Sequence, residues 1–366
     1  MEKKLGFGCM RLPMKDEEVD YDEFNKMIDY FMEQGFNYFD TAHGYISGQS
    51  ETAIRDCLSA RYPRESFILT DKLTGPYFEK KEDITPFFES QLKLTGVEYF
   101  DYYLMHAQDR DNYKHFQECQ AYEVAQELKS EGKIKHVGIS FHDSAEFLDQ
   151  ILTDHPEVEV VQIQFNYIDY NSLSVQSRLC YEVCRKHGKE VLIMEPVKGG
   201  GLVNLPDAAK EIFDSINEGK DLSYASYAIR FAASFDGVFK VLSGMSSFEQ
   251  LKDNVDYMKE FEPLNDEEKE AIEKVVGILN GLGGIPCTGC RYCVDGCPMG
   301  IKIPDLFSCY NAKKQFNDWN SKMYYGRVIS DSGKASDCVK CGQCASVCPQ
   351  HLRIPELLED VAVEFE

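Results

Sequence analysis

The chain has 366 residues, of which 43% are hydrophobic and 28% charged, the balance of a globular protein with one large domain and one small one. A formal net charge of −23 disfavours binding to nucleic acid or anionic membranes, and no apolar run approaches a membrane span. The opening residues MEKKLGFGCMRLP lack the apolar run of a signal peptide, so a cytoplasmic location is predicted. The acidic surface indicates either simple solubility or a docking face for a basic redox partner protein.

Eight short apolar segments alternate with helical patterns along most of the chain. The segments are LGFGCM, FNYFD, SFILTDK, YFDYYLMH, HVGISF, VVQIQFN, EVLIMEPV and VFKVLSGM. YDEFNKMIDYFMEQG, after the first segment, places its apolar residues on one helical face and ends at Gly35. Because alternating strands and helices form parallel sheets, eight such units in about 250 residues predict an α/β fold, a closed (β/α)8 TIM barrel.

The alternation stops at a predicted helix over Asp266–Leu279, which is followed by the glycine-rich turn NGLGGIP. We therefore predict a barrel domain over residues 1–280 and a small, mainly α-helical domain over residues 281–366. In the second part, IPDLFSCYNAKKQFNDW and IPELLEDVAVEF each read as a helix that follows a cysteine motif.

Three polar residues fall at the ends of successive predicted strands, where the reacting groups of such barrels lie. They are Asp40, Lys72 and His106, and Tyr45 follows Asp40 closely. A lysine ammonium favours a phenolate and should lower the pKa of Tyr45, while Asp40 would hold the lysine in place. A histidine nearby can bind a carbonyl oxygen, so the group predicts protonation of an alkoxide as hydride reaches carbon.

The motifs DTAHGY, YLMH, VGIS, VQIQFN and SGMSSFEQLKDN, in this order, resemble the aldo/keto reductase family. The resemblance implies an Asp–Tyr–Lys–His tetrad at Asp40, Tyr45, Lys72 and His106, with Tyr45 as the acid. It also implies an extended nicotinamide coenzyme across the barrel mouth, with its carboxamide held by Ser140 and Gln162. The residues implied at the adenosine-phosphate end are Ser243, Gly244, Met245, Gln250 and Asn254.

Three positions differ from the common pattern of the family. Phe141 follows the serine of VGIS where asparagine is frequent, and Met194 stands where an aromatic side chain usually stacks on the nicotinamide. Gln250 replaces an arginine that binds the 2′-phosphate in many members. Ser246, Ser247 and the helix N-terminus could still bind phosphate, so both NADP and NAD remain open. HVGISFHD resembles a subgroup that carries C-terminal iron–sulfur motifs.

Two copies of C-x2-C-x2-C-x3-C-P lie in the C-terminal part, CTGCRYCVDGCP from Cys287 and CVKCGQCASVCP from Cys338. This spacing is the signature of bacterial ferredoxins with two [4Fe–4S] clusters, in which the fourth cysteine of each motif binds the other cluster. The predicted sets are Cys287, Cys290, Cys293 and Cys348 for one cluster, and Cys338, Cys341, Cys344 and Cys297 for the other. The long, helical link resembles the α-helical ferredoxin domains of multi-subunit oxidoreductases.

Zinc is the main competitor for these motifs, but zinc sites rarely combine four cysteines at these spacings with a following proline. The other six cysteines are predicted to be buried apolar residues rather than disulfides. Two of them, Cys180 and Cys184, share a helical face near His187, which indicates ordinary helix packing more than a metal site with only three ligands.

The sequence leaves several functions open. The first is a carbonyl reductase or alcohol dehydrogenase acting on a small molecule. The second is an electron-transfer protein whose clusters exchange electrons with a partner, while the barrel holds another redox cofactor or a substrate. In a third, the clusters are structural or sense oxygen, and in a fourth the chain is a regulatory subunit. Hydride carries two electrons and a cluster moves one, so a converter such as a flavin would be needed between them, although no flavin motif is evident.

Overall fold

The computed structural model describes residues 3–217 and 219–366. Two compact units are formed. The first holds the residues up to Asn166 together with Leu179–Val197 and Lys220–Asn265. The second holds Asp266–Glu366 together with two segments from earlier in the chain, Tyr167–Arg178 and Lys198–Gly219. The predicted domain boundary at residue 281 remains a prediction.

The first unit contains a closed barrel of eight parallel strands, so the predicted (β/α)8 fold is confirmed. The barrel strands are β1 (Leu5–Gly8), β4 (Tyr38–Asp40), β5 (Ile68–Leu73), β6 (Phe100–Gln108), β7 (Ile134–Phe141), β8 (Val160–Gln164), β9 (Glu190–Met194) and β10 (Val238–Ser243). Each of the eight segments predicted from the sequence overlaps one of these strands, and β5, β6 and β7 extend one or two residues beyond their segments. An antiparallel hairpin, β2 (Met14–Lys15) with β3 (Glu18–Val19), was not predicted, because two-residue strands are too short to show a period.

Helices follow the strands as the apolar periodicity indicated. The helices in the described residues are α1 (Tyr21–Glu33), α2 (Gln49–Ile54), α3 (Lys81–Thr95), α4 (Arg110–Glu118), α5 (Ala121–Ser130), α6 (Ala145–Asp154), α7 (Ser177–Lys186), α8 (Asp207–Ile216), α9 (Tyr224–Ala233), α10 (Phe248–Lys259), α11 (Asp266–Asn280), α12 (Ile303–Phe316), α13 (Ser321–Ile329), α14 (Gln343–Ser346) and α15 (Ile354–Phe365). Within the described ranges, none of these helices is both long and apolar enough to cross a membrane.

Large side chains fill the inside of the barrel. The cluster consists of Tyr38, Tyr102, Leu104, Val160, Leu192 and Leu242. Gly138 on β7 makes room for this packing, because a Cβ atom there would lie 2.4 Å from a methyl carbon of Val160. A filled interior keeps the strands rigid, so residues at their carboxyl ends are held in fixed positions.

The second unit has its own apolar core, formed mainly by α12, α13 and α15. Its fully buried members are Ile301, Ile303, Leu306, Phe307, Cys309, Ala335, Ile354, Leu358 and Val361. Lys198 is also buried in this unit, where its ammonium lies 2.8 Å from one carboxylate oxygen of Asp169 and 2.8 Å from one of Asp318. This ion triad joins the segment Lys198–Gly219 to the cysteine-rich part of the same unit, and no sequence pattern indicated it.

Candidate active site and cysteine cavities

The predicted tetrad begins at the carboxyl ends of neighbouring strands. Asp40 ends β4 and Lys72 lies near the end of β5, and parallel pairing brings these two ends together. Lys72 is fully buried, and its Nζ donates hydrogen bonds to Asp40 Oδ1 at 2.7 Å and to the Thr41 carbonyl at 2.8 Å. Although burial disfavours the ammonium, Asp40 and Tyr45 raise the pKa of Lys72 above its ordinary value. The site therefore holds a permanent cation.

Tyr45 meets this cation from the turn that follows β4. Its hydroxyl lies 3.2 Å from Lys72 Nζ, and the same nitrogen is 4.8 Å from the centre of the phenol ring. Burial raises the pKa of the Tyr45 hydroxyl more than Lys72 lowers it, so the net shift is upward rather than downward as predicted. The physical reason is that the aqueous surroundings which would stabilise a phenolate are excluded. Tyr45 is consequently protonated at neutral pH, the form that a general acid requires.

His106 completes the predicted set. Its ring stands nearly perpendicular to the ring of Tyr45, with the centres 6.1 Å apart. Its Nδ1 is hydrogen-bonded to the Thr74 hydroxyl at 2.8 Å, and burial together with Lys72 holds the pKa of His106 well below its usual value. When Nδ1 accepts the proton of the Thr74 hydroxyl, the neutral ring carries its own proton on Nε2 and can donate it to a substrate oxygen. Thr74 was missed from the sequence, because a threonine after a strand carries no distinctive signal.

The residues predicted to hold a carboxamide lie on the next strands. Ser140, on β7, is fully buried and accepts a hydrogen bond from the Ala107 backbone at 2.7 Å. Gln162, on β8, donates its amide to Asp40 Oδ2 at 3.1 Å, which joins it directly to the tetrad. Met194 ends β9 and is partly exposed. Two polar side chains at the barrel mouth are thus fixed beside the tetrad.

The residues predicted at the adenosine-phosphate end follow β10. The side chain of Asn254 donates to the Ser243 hydroxyl at 2.7 Å, so the start of this loop is tied to α10. Gln250 is exposed, and its side-chain oxygen accepts a hydrogen bond from the Ser246 backbone at 2.8 Å. Gly244 is exposed, whereas Met245 is fully buried, so its side chain is not presented at the surface.

An acidic side chain also lies at the N-terminus of α10, which sequence reasoning missed. Glu23, on α1, accepts a hydrogen bond from the Phe248 backbone at 3.0 Å. Phe248 is the first residue of α10, so a carboxylate already binds one of the N–H groups that a phosphate would use there. Glu23 is distant in sequence, and only the packing of α1 beside α10 reveals the contact.

The eight motif cysteines are divided between two cavities in the second unit. Cys287, Cys290, Cys293 and Cys348 line one cavity, and Cys297, Cys338, Cys341 and Cys344 line the other. The grouping is the same as the one predicted from the cross-over arrangement. The empty volumes are nearly equal, about 330 and about 310 Å³, as expected for two copies of one group. Ile303 lines both cavities, which are therefore adjacent.

The two motifs also share a pattern of exposure. The second cysteine of each motif, Cys290 or Cys341, is exposed, and the third, Cys293 or Cys344, is buried. In the described part of the chain, no three His, Cys, Asp or Glu side chains converge closely enough to hold a single metal ion. Four thiols around a shared cavity fit a cluster several ångströms across better than one zinc ion.

The remaining cysteines are all buried, as predicted, and none forms a disulfide among the described residues. Cys180 lies 3.9 Å from the Asp143 carbonyl, and Cys184 is fully buried. His187 does not join them, since its Nε2 lies 2.6 Å from Asp149 Oδ1. These contacts support ordinary helix packing of this face of α7 rather than a metal site.

An open groove lined by both polar and apolar side chains lies beside the first cysteine cavity, within the second unit. Its empty volume, which includes open solvent, is about 1440 Å³. Cys287, Thr288, Pro304 and Gln350 line both the groove and the cavity. A molecule in the groove would therefore lie next to the group held by the first set of cysteines.

Comparison with known proteins agrees with this architecture. Residues 4–276 match the aldo/keto reductase family, and residues 286–352 match a 4Fe-4S dicluster domain. An NADH-specific methylglyoxal reductase of Escherichia coli is 23% identical over 263 residues, which cover 60% of this chain and 78% of the relative. An uncharacterized oxidoreductase of Bacillus subtilis, YqkF, is 24% identical over 281 residues, 69% of this chain and 86% of the relative.

Solved structures share the barrel. An aldo-keto reductase from Bacillus halodurans in its holo form is 26% identical, with a TM-score of 0.59 over 74% of this chain and 91% of that chain. An aldo-keto reductase from Klebsiella pneumoniae in complex with NADPH is 19% identical, with a TM-score of 0.60 over 75% of this chain and 90% of that chain. Fold and site define an oxidoreductase built on a (β/α)8 barrel. The chain belongs to the aldo/keto reductase family and carries a C-terminal 4Fe-4S domain.

Proposed function

We propose that the chain reduces a small carbonyl compound with NADH or NADPH, or oxidises the corresponding alcohol, with Tyr45 as the general acid. The observation that carries the proposal is the 3.2 Å contact between the Tyr45 hydroxyl and Lys72 Nζ, with His106 beside them. A protonated phenol next to a buried cation can release its proton while the resulting phenolate is stabilised.

The coenzyme supplies hydride when it is bound. Ser140 and Gln162 fit a carboxamide, because both are fixed polar side chains beside the tetrad. His106 Nε2 donates a hydrogen bond to the carbonyl oxygen and orients it. As negative charge develops on that oxygen, Tyr45 transfers its proton to it. Lys72 stabilises the phenolate until solvent returns a proton, and Asp40 keeps Lys72 charged and in position.

The test is the variant Tyr45→Phe, assayed on a panel of aldehydes and ketones with either coenzyme. Loss of a positioned acid lowers kcat by about 10²–10⁴-fold, with little change in coenzyme KM. Tyr30→Phe is the matched control, because the Tyr30 hydroxyl is exposed and donates a hydrogen bond to the surface residue Asp256. Turnover by Tyr45→Phe equal to that of the parent chain would remove Tyr45 from the mechanism.

For the coenzyme, we propose a preference for NADH. Glu23 places a carboxylate directly on an N–H group at the N-terminus of α10, where it would repel a 2′-phosphate; Lys26 lies 3.8 Å from this carboxylate and offsets its charge only in part, and Gln250 adds no positive charge. The E. coli relative is named NADH-specific, which is in line with this choice, whereas the K. pneumoniae structure holds NADPH. Glu23→Gln should raise kcat/KM for NADPH severalfold and leave that for NADH nearly unchanged. Equal values for both coenzymes in the parent chain would refute the preference.

For the C-terminal part, we propose two [4Fe–4S] clusters. Each would be held by one of the two cysteine sets that line the cavities, because thiolates in these spacings bind such clusters. Anaerobic purification followed by iron and sulfide analysis tests this directly. About eight iron and eight sulfide per chain are expected. Zinc, or iron without sulfide, would contradict it.

Such thiol-bound clusters, and the free cysteines elsewhere, suit the reducing cytoplasm, which we propose as the location.

A second candidate function is single-electron transfer through these clusters to a redox partner protein. It is favoured by the adjacency of the two cavities across Ile303 and by the exposed cysteine at each, Cys290 and Cys341. A bound flavin or similar group would be needed to join one-electron and two-electron steps. In the experiment, dithionite-reduced protein is given substrate without nicotinamide. Product formed in proportion to cluster oxidation supports the relay, and no product after full reduction opposes it.

A further inference from the structure

Two buried acids that the mechanism does not use lie behind the tetrad. Glu51, on α2, and Asp71, on β5, are both fully buried. Among the described residues, Glu51 Oε1 and Asp71 Oδ2 have no hydrogen-bond donor in ordinary geometry, and the two carboxyl groups face one another beside Gln91. Two carboxylates cannot both be ionised at such short range in a dry site. A proton on one of the two oxygens would form a hydrogen bond to the other, so both oxygens would have a partner.

The other oxygen of each acid is fixed by ordinary hydrogen bonds. Asp71 Oδ1 accepts from the Lys72 backbone at 2.8 Å and from the Gln91 amide at 3.0 Å. Glu51 Oε2 lies 2.7 Å from His43 Nδ1. Burial raises the pKa of Glu51 to about 7, and burial together with the charge of Glu51 raises the pKa of Asp71 well above its ordinary value. The pair thus retains one proton at neutral pH.

The turn that carries Tyr45 needs support from outside itself. Ile46 and Ser47 both adopt left-handed conformations, with φ of 52° and 53°, and Gly48 follows with φ of 87°. Such a conformation costs roughly 1–2 kcal/mol per residue for a side chain with a Cβ atom. Because α2 begins directly after the turn, a hydrogen bond between α2 and the barrel would hold the turn in its left-handed conformation. Glu51 makes that bond to the residue next to Lys72.

We infer that Glu51 and Asp71 are positioning residues, which hold the Tyr45 turn against the Lys72 strand through one shared proton. The inference rests on the proposed role of Tyr45 as acid. Loss of the shared proton places two negative charges opposite each other and separates α2 from β5, so the contact between Tyr45 and Lys72 loosens. The titratable groups that face the pair are His43, Tyr45, Lys72 and Tyr103.

The pH dependence of stability and of kcat follows from the upward shift in the pKa of the buried pair. Asp71, which burial and the charge of Glu51 both affect, has a folded pKa well above that of the unfolded chain, so the folded protein holds a proton that the unfolded chain has released. The stabilisation is therefore present at low pH and is lost as the pH rises through the folded pKa. Both stability and kcat should fall on the alkaline side through this pair, before Tyr45 itself titrates.

The experiment compares two amide variants with a truncation. In Glu51→Gln, the amide nitrogen donates to Asp71 while the oxygen still accepts from His43, and Asp71→Asn reverses the direction of the same bond. Both should keep kcat near that of the parent chain at pH 7 and lack the alkaline fall that is due to the pair. Glu51→Ala should lower kcat by about 10–100-fold at unchanged coenzyme KM, because misplacement by about 1 Å has costs of this size. Glu89→Gln is the control, since Glu89 is a partly exposed glutamate that pairs with Lys133 at the surface.

The measurements separate this inference from the proposed function. Difference infrared spectroscopy of the parent chain should show a protonated carboxyl band that disappears as the pH rises and is absent in Glu51→Gln, whatever the activity. If carbonyl reduction is not found but the band is, the proposed function fails and the shared proton stands. No such band, or identical pH profiles of kcat in the parent chain and both amide variants, overturns the inference. If Glu51→Ala does not fold, the amide variants and the spectrum decide.

Discussion

The ion pair between Lys72 and Asp40 predicts opposite pH dependences for two single variants. Both side chains are buried, and Lys72 Nζ lies 2.7 Å from Asp40 Oδ1. In Lys72→Met, Asp40 loses its cation and escapes the cost of a buried charge by taking up a proton. Keeping Asp40 protonated lowers the free energy of unfolding by at most about 4 kcal/mol at pH 7 and about 1.5 kcal/mol at pH 5. These limits follow from the difference between the pH and the ordinary aspartate pKa near 3.9.

Asp40→Asn creates the converse situation. The buried ammonium of Lys72 now lacks its partner and releases a proton instead. With an ordinary lysine pKa near 10.4, the cost is at most about 5 kcal/mol at pH 7 and about 2 kcal/mol at pH 9. Stability of Lys72→Met therefore increases as the pH falls, because its folded state binds the extra proton. The stability of Asp40→Asn increases as the pH rises, because its unfolded state binds one more proton than its folded state.

The double variant Asp40→Asn/Lys72→Met removes both charges and should recover most of the stability, since replacing a buried ion pair as a whole is often nearly neutral. The assay is the melting temperature of the full chain, at matched iron content, at pH 5, 7 and 9. A loss of 4 kcal/mol corresponds to roughly 8–16 °C for a domain of this size. Activity should stay low in all three variants. Equal pH slopes for the single variants, or simple addition of their effects in the double variant, would refute the reasoning.

Other consequences can be checked by stability and metal content. Gly138→Ala should destabilise the barrel by about 1–3 kcal/mol in urea denaturation, because its Cβ atom would overlap Val160. Gly277→Ala, in α11 with open space around it, should instead stabilise by about 0.5–1 kcal/mol, and a loss there would contradict the helix. Cys344→Ser should lose about half of the bound iron, whereas the buried Cys309→Ser should lose none, as measured by iron analysis. Equal iron in the two cysteine variants would rule out the proposed sets.

Much of the architecture was readable from local patterns. The alternation of apolar segments and amphipathic helices depends on the period of each element alone, so all eight barrel strands and the helix from Asp266 were found without any knowledge of packing. The tetrad was also accessible, because parallel strands in a barrel bring their carboxyl ends to one edge. The sign of the Tyr45 pKa shift was wrong, because the degree of burial depends on distant segments.

What the sequence determined by itself is a barrel with Asp40, Lys72 and His106 at neighbouring strand ends, and two cysteine motifs of ferredoxin spacing. What only the tertiary structure decided are pairings between residues far apart in the chain. Successive side chains of a strand point to opposite faces, so Lys72 enters the barrel while Asp71 faces α2 and Glu51. Glu23 reaches α10 by the same kind of packing. Such contacts arise where a helix packs against a strand or another helix, and no local period of the sequence encodes them.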